Sequence, residues 1–206
     1  MRVLSLDTVT LRLPVLWRAL LAMLVLCGAI GALVESRASI LRSGTEVRLK
    51  TAPIDPRDLF RGDYVVLSYD ISVVDAAASA SDRPFQRGEP VHVRLAPNAE
   101  GFAQVVGVSR ERPAASSSEV VMAGHVRVPG TCLRDNRDKA DCTRGSTGLR
   151  IAYGIESYFV PEGTGLAIEM TDRSRIEVVA AVAASGEAAI KRLLIDGKLV
   201  HAEPPY

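Results

Sequence analysis

Cysteine, histidine, aromatic residues and net charge are all scarce in this chain. Its 206 residues include three cysteines, three histidines and one tryptophan, with 5% aromatics and a formal net charge of only +1. A balance so close to neutral gives no electrostatic footprint for a polyanion, so nucleic acid is not an expected partner. No CxxC pair occurs, and His92, His125 and His201 stand apart on separate predicted strands or the tail. That leaves too few soft ligands for a zinc site, and neither a metal nor another cofactor is expected. No long amphipathic helical pattern and no internal repeat is present. Nearly half of the residues are apolar, which favours a packed domain over disorder, and the length allows about one such domain after an apolar leader.

That leader is the first positive signal. No charged residue occurs from Ala19 to Val34, and Val15, Leu16 and Trp17 extend the run to spanning length, with the tryptophan at interfacial depth and Arg18 able to snorkel. The competing reading is a cleaved signal peptide, for which Ala29, Gly31 and Ala32 offer a weak site. A long segment before the run, the early Pro14 and the length of the run favour an anchor. Arg2, Arg12 and Arg18 precede it and Arg37, Arg42, Arg48 and Lys50 follow it, so positive charge does not set the orientation. Translocation of the large C-terminal part is the usual outcome for a first apolar helix. The expected organisation is a cytoplasmic segment at 1–14, a transmembrane anchor at 15–34, a linker at 35–44 and a β-rich domain at 45–206.

Cys27 lies inside the leader, whereas Cys132 and Cys142 flank a polar loop with Arg134, Asp135 and Asn136. That arrangement suits a disulfide outside the cytoplasm, and closing so short a loop stabilises by roughly 3 kcal/mol. Two unpaired surface thiols are the alternative.

Beyond Gly44 the pattern changes to short β-branched and aromatic segments punctuated by Gly, Pro and Asp. Strands are predicted over 45–51, 63–72, 90–95, 102–110, 119–128, 149–154, 175–183 and 188–195, with one short helix over 161–173. Val47 and Leu49 alternate with Arg48 and Lys50, and Asp196-Gly197 predicts a tight hairpin returning through Lys198 to His201. The fold class is mostly β: an antiparallel domain after one N-terminal transmembrane helix.

The most informative stretch runs from Asp55 through Arg57, Asp58, Arg61, Gly62, Asp63, Tyr64, Val65, Val66, Leu67 and Ser68 to Tyr69, and reads as a turn followed by a strand. Gly62 can take positive φ and Asp63 can accept backbone N–H groups; Tyr64, Val66 and Ser68 then face one side, Val65, Leu67 and Tyr69 the other. Gly62, Asp63, Tyr64, Leu67 and Tyr69 match in full the motif of the bacterial GDYXXLXY family, which the chain resembles. Asp55-Pro56-Arg57, a second block of Tyr153, Gly154, Ile155, Glu156, Tyr158, Phe159, Pro161, Glu162 and Gly163, and 186–197 extend the resemblance over most of 45–200. The resemblance implies a small membrane-anchored protein without assigned chemistry, often encoded with a multi-spanning membrane protein, and hence a membrane partner. Within the second block the aromatics and acids read either as a recognition surface or as core fillers and turn caps, the latter favoured because aromatics are few.

Enzymatic readings are weaker. The string Arg61-Gly62-Asp63-Tyr64-Val65-Val66 also resembles a strand of bacterial signal peptidases, whose chemistry needs a serine nucleophile and a neutral lysine base. Ser39 and Ser43 lack that family's sequence setting, and no lysine falls between Lys50 and Lys139, which lies in the polar cysteine loop. A hydrolase using paired carboxylates from Asp55, Asp58, Asp63 and Asp70 is the other alternative, although acids gather at turns for backbone reasons and Arg57 and Arg61 can neutralise them. The sequence therefore favours a non-catalytic binding or accessory role, on a single-pass protein of the inner (cytoplasmic) membrane with its C-terminal domain extracytoplasmic.

Overall fold

The computed structural model describes residues 14–52, 64–75, 83–131, 133–134, 140–141, 148–160, 168 and 171–204. The chain divides into two compact units, Met1–Ser39 and Ile40–Tyr206.

Helix α1, Val15–Ser43, has 29 residues and begins directly after Pro14, whose carbonyl accepts the Trp17 and Arg18 N–H groups. At about 1.5 Å per residue it is about 43 Å long, more than the ~30 Å of a hydrocarbon core. It is the one helix among the described residues long and apolar enough to cross a membrane, and none of its apolar window is buried. Length and composition suit either a single-pass anchor or a signal sequence. The helix also continues through the segment expected as a linker, because 35–43 contains no glycine or proline. Gly44 ends it: its N–H donates to the Ile40 carbonyl at 2.8 Å, and β1 begins at the next residue.

The domain is built from β1 (Thr45–Lys50), β2 (Tyr64–Val66), β3 (Val73–Asp75), β4 (Pro90–Pro97), β5 (Ala103–Ser109), β6 (Val120–Thr131), β7 (Leu133–Arg134), β8 (Ala140–Asp141), β9 (Gly148–Ala152), β10 (Ser157–Phe159), β11 (Ile176–Val182), β12 (Ala188–Ile195) and β13 (Lys198–Ala202). Among the described residues they form a four-stranded sheet β1-β11-β12-β13, a five-stranded sheet β3-β9-β6-β4-β5 and two ribbons, β10-β2 and β7-β8. Among the described residues the ladders between these strands are antiparallel, and a single parallel bridge joins Arg48 of β1 to Phe102. The strand expected over 63–72 is broken: after β2 the chain makes a 3-10 turn at Asp70–Ser72 before β3. The helix expected over 161–173 falls for the most part outside the described residues.

A single core joins the sheets. Val47 and Leu49 of β1 turn inward between exposed Glu46, Arg48 and Lys50, and meet a cluster that includes Val93, Met122, Ile151, Val178 and Leu193. Strand β11 lies between β1 and β12 and is buried on both faces, Val178 and Ala180 on one and Val179 and Ala181 on the other, which accounts for its almost unbroken apolar sequence. The β12–β13 turn has φ of 51° at Asp196 and 73° at Gly197, the paired positive values that a type I′ hairpin requires.

A bulge carries one titratable cluster. Between β11 and β12 the register skips Lys191, pairing Val179 with Arg192 and Ala180 with Ile190. The skip lets neighbouring residues reach one carboxylate, Lys191 Nζ at 2.9 Å from Glu46 and the Arg192 guanidinium beside it. The Lys191 hydrogen bond, joined by Arg192, holds the Glu46 carboxyl below its ordinary value against the opposing effect of burial. A carboxyl depressed in the folded state stabilises above its unfolded pKa, about 4.3, and loses that contribution as pH falls through the folded value. Acid titration of stability should therefore be shallower in Glu46→Gln below about pH 4.5, as measured by denaturant midpoints across pH; an unchanged slope would mean that the cluster contributes nothing.

Candidate functional site

The described parts of the two segments singled out in the sequence, 64–69 of the first and 153–160 of the second, are brought together. Strands β2 and β10 pair with Val66 opposite Ser157, Val65 opposite Tyr158 and Tyr64 opposite Phe159. The Leu67 N–H extends the ladder by donating to the Glu156 carbonyl at 2.8 Å. Alternation then sorts the motif. Val65, Leu67 and Tyr69 are at most 1% exposed, whereas Val66 faces outward.

Two tyrosines tie the segments reciprocally. The Tyr69 hydroxyl donates to the Ile155 carbonyl at 2.6 Å, and the Tyr153 hydroxyl donates to the Ile71 carbonyl at 2.7 Å. Each ring fills the core while its polar end satisfies a carbonyl of the other segment. Burial, then the nearby Glu156 carboxylate, pushes both phenols far up, so each stays a neutral donor. Glu156 itself closes a turn, its carboxylate accepting the Tyr153 N–H and, at 2.9 Å, the Gly154 N–H. Gly154 has φ of 79°, which a side chain rarely adopts.

The third tyrosine points elsewhere. Buried Tyr158 shares a hydrogen bond with His201 Nδ1 on β13, the rings meeting edge to face at 5.5 Å. Burial, followed by Glu203, raises its phenol as well. His201 and Glu203 were not expected at this site. The hairpin that carries them was legible, but its contact with β10 spans about forty residues of sequence and leaves no local trace.

The outer face of the ribbon is different. Phe159 is 75% exposed, and Val66, diagonal to it across the ribbon, is 38% exposed on the same face, since Val66 is opposite Ser157 and Ser157 shares a side with Phe159 two residues on. Phe102 and Phe85 lie beneath the Arg48 and Arg110 guanidinium groups at 4.6 and 4.2 Å. Pro161, Glu162 and Gly163 of the second block lie outside the described residues, as do Asp55, Arg57, Asp58, Arg61, Gly62 and Asp63 of the first. Cys132, Lys139 and Cys142 also lie outside them.

Next to the end of the motif lies a cleft of about 390 Å³, lined in part by Lys50, Asp70, Ile71, Asp75, Glu100 and Phe102. Among the described residues no group of three or more His, Cys, Asp or Glu side chains is arranged to hold a metal ion. The described carboxylates with displaced titrations, Glu46, Glu89, Asp172 and Asp196, are all displaced downward, held by lysine, arginine or serine partners. A general acid would need the opposite shift. Ser39 lies on α1 with its hydroxyl donating to the Ser36 carbonyl at 2.8 Å.

No curated protein and no solved structure matches the chain. The family model described as GDYXXLXY protein matches residues 26–193, well over half of the length. With its motif strand paired to the second block, the chain belongs to the GDYXXLXY family, whose function is unknown.

Proposed function

We propose that this protein is anchored by α1 in the cytoplasmic membrane, carries its β-domain on the outer face, and acts as a non-catalytic accessory or binding partner of a multi-spanning membrane protein. The observation that carries this reading is Phe159. Phe159, three-quarters exposed beside outward-facing Val66, presents apolar and aromatic surface on the outer face of the ribbon, the kind of side chain that is enriched at protein interfaces. Val65 and Tyr158 of the ribbon are committed to the core, and its outer face is offered for recognition. A hydrolase using acidic residues around the motif is the second reading, and of its candidate acids Asp70 lies among the described residues, in the lining of the cleft.

A photo-crosslinking residue placed at Phe159 in the full-length, membrane-embedded protein should form an adduct with an integral membrane protein, while the same residue at exposed Arg112 should not. Equal labelling at both positions, or none at Phe159, would overturn the reading. Phe159→Ser should lower recovery of that partner with folding stability unchanged within about 0.5 kcal/mol.

The extracytoplasmic assignment includes a Cys132–Cys142 disulfide. It is supported by β7–β8, in which Leu133, following one cysteine, pairs with Asp141, preceding the other, and Arg134 pairs with Ala140. In spheroplasts the domain should be open to protease, and both cysteines should alkylate only after reduction. Protection in intact cells and spheroplasts alike, with thiols alkylated before reduction, would put the domain in the cytoplasm.

A further inference from the structure

We draw no further inference here: the strongest candidate, the groove of about 520 Å³ between β1 and the ends of β4 and β5, carries nothing because Glu46, Arg48, Glu119 and Arg192 on its rim are already ion-paired within the chain and nothing in the structure shows what covers its apolar floor.

Discussion

Replacing Tyr69 by alanine is expected to destabilise the β-domain by about 3–5 kcal/mol, and replacing it by phenylalanine by about 1–3 kcal/mol. The two numbers separate what the ring and the hydroxyl contribute. The ring is 1% exposed, so its loss leaves a cavity in the core. The hydroxyl donates to the Ile155 carbonyl at 2.6 Å, and removing it takes a partner from a buried acceptor while keeping the packing. Tyr153→Phe should cost a similar amount through Ile71. Because both bonds hold the same two segments together, the double phenylalanine variant should depart from the sum of the single effects by 0.5 kcal/mol or more. Denaturant unfolding of the detergent-solubilised full chain, followed by circular dichroism, measures all of these. A Tyr69→Ala midpoint equal to the parent's would remove the tyrosine from the core and undo the account of the motif.

The described part of the family motif is in large part a core element. The described part of GDYXXLXY contributes Val65, Leu67 and Tyr69 to the interior, and the second block answers with Tyr153, Tyr158 and a glutamate-closed turn. Such residues set the position of a surface and do not themselves form it. Val66 and Phe159 of the same two segments face outward.

Much of this fold could be read locally. The charge-free run from Ala19 to Val34 announces α1, and the alternation in Thr45–Lys50 and the Asp196-Gly197 turn announce β1 and the last hairpin. The helix runs on past the charge-free run to Ser43, since no glycine or proline interrupts 35–43 before Gly44. Strand β10 is not legible locally. Three residues between Gly154 and Pro161 are too few for a period-two signal, and their partner lies about ninety residues earlier. Tyr153 and Tyr158 looked alike in sequence yet bond to different elements, since the donor–acceptor pairs are set by tertiary contacts. Edge strand β13 is short, starts with Lys198 and carries a register shift, three features that blunt pairing with another chain.

Gly124→Ala is expected to cost about 1–3 kcal/mol, and Gly124→Val more, whereas Gly107→Ala should stay within about 0.5 kcal/mol of the parent. Both glycines lie in strands of the five-stranded sheet, so backbone propensity alone predicts no difference. Their surroundings differ. A Cβ at Gly124 would lie 2.7 Å from Ile151 Cγ2, 2.9 Å from the Ala152 carbonyl oxygen and 3.2 Å from Tyr153 Cδ1. Ile151 and Tyr153 are buried, and the carbonyl belongs to the backbone of β9, the neighbouring strand. Relief at this position therefore requires β6 and β9 to part, and the displacement reaches Tyr153, one of the two side chains that tie the motif in place. At Gly107 the three atoms nearest the added carbon all belong to the Arg94 guanidinium, with Nη2 at 2.8 Å. That end is flexible, and its ion pair with Glu119, at 3.8 Å and with the arginine side chain 38% exposed, is worth little. Equal destabilisation at both positions would mean that strand spacing is not the constraint, and that the close approach of β9 to β6 does not help to hold the Tyr153 clasp.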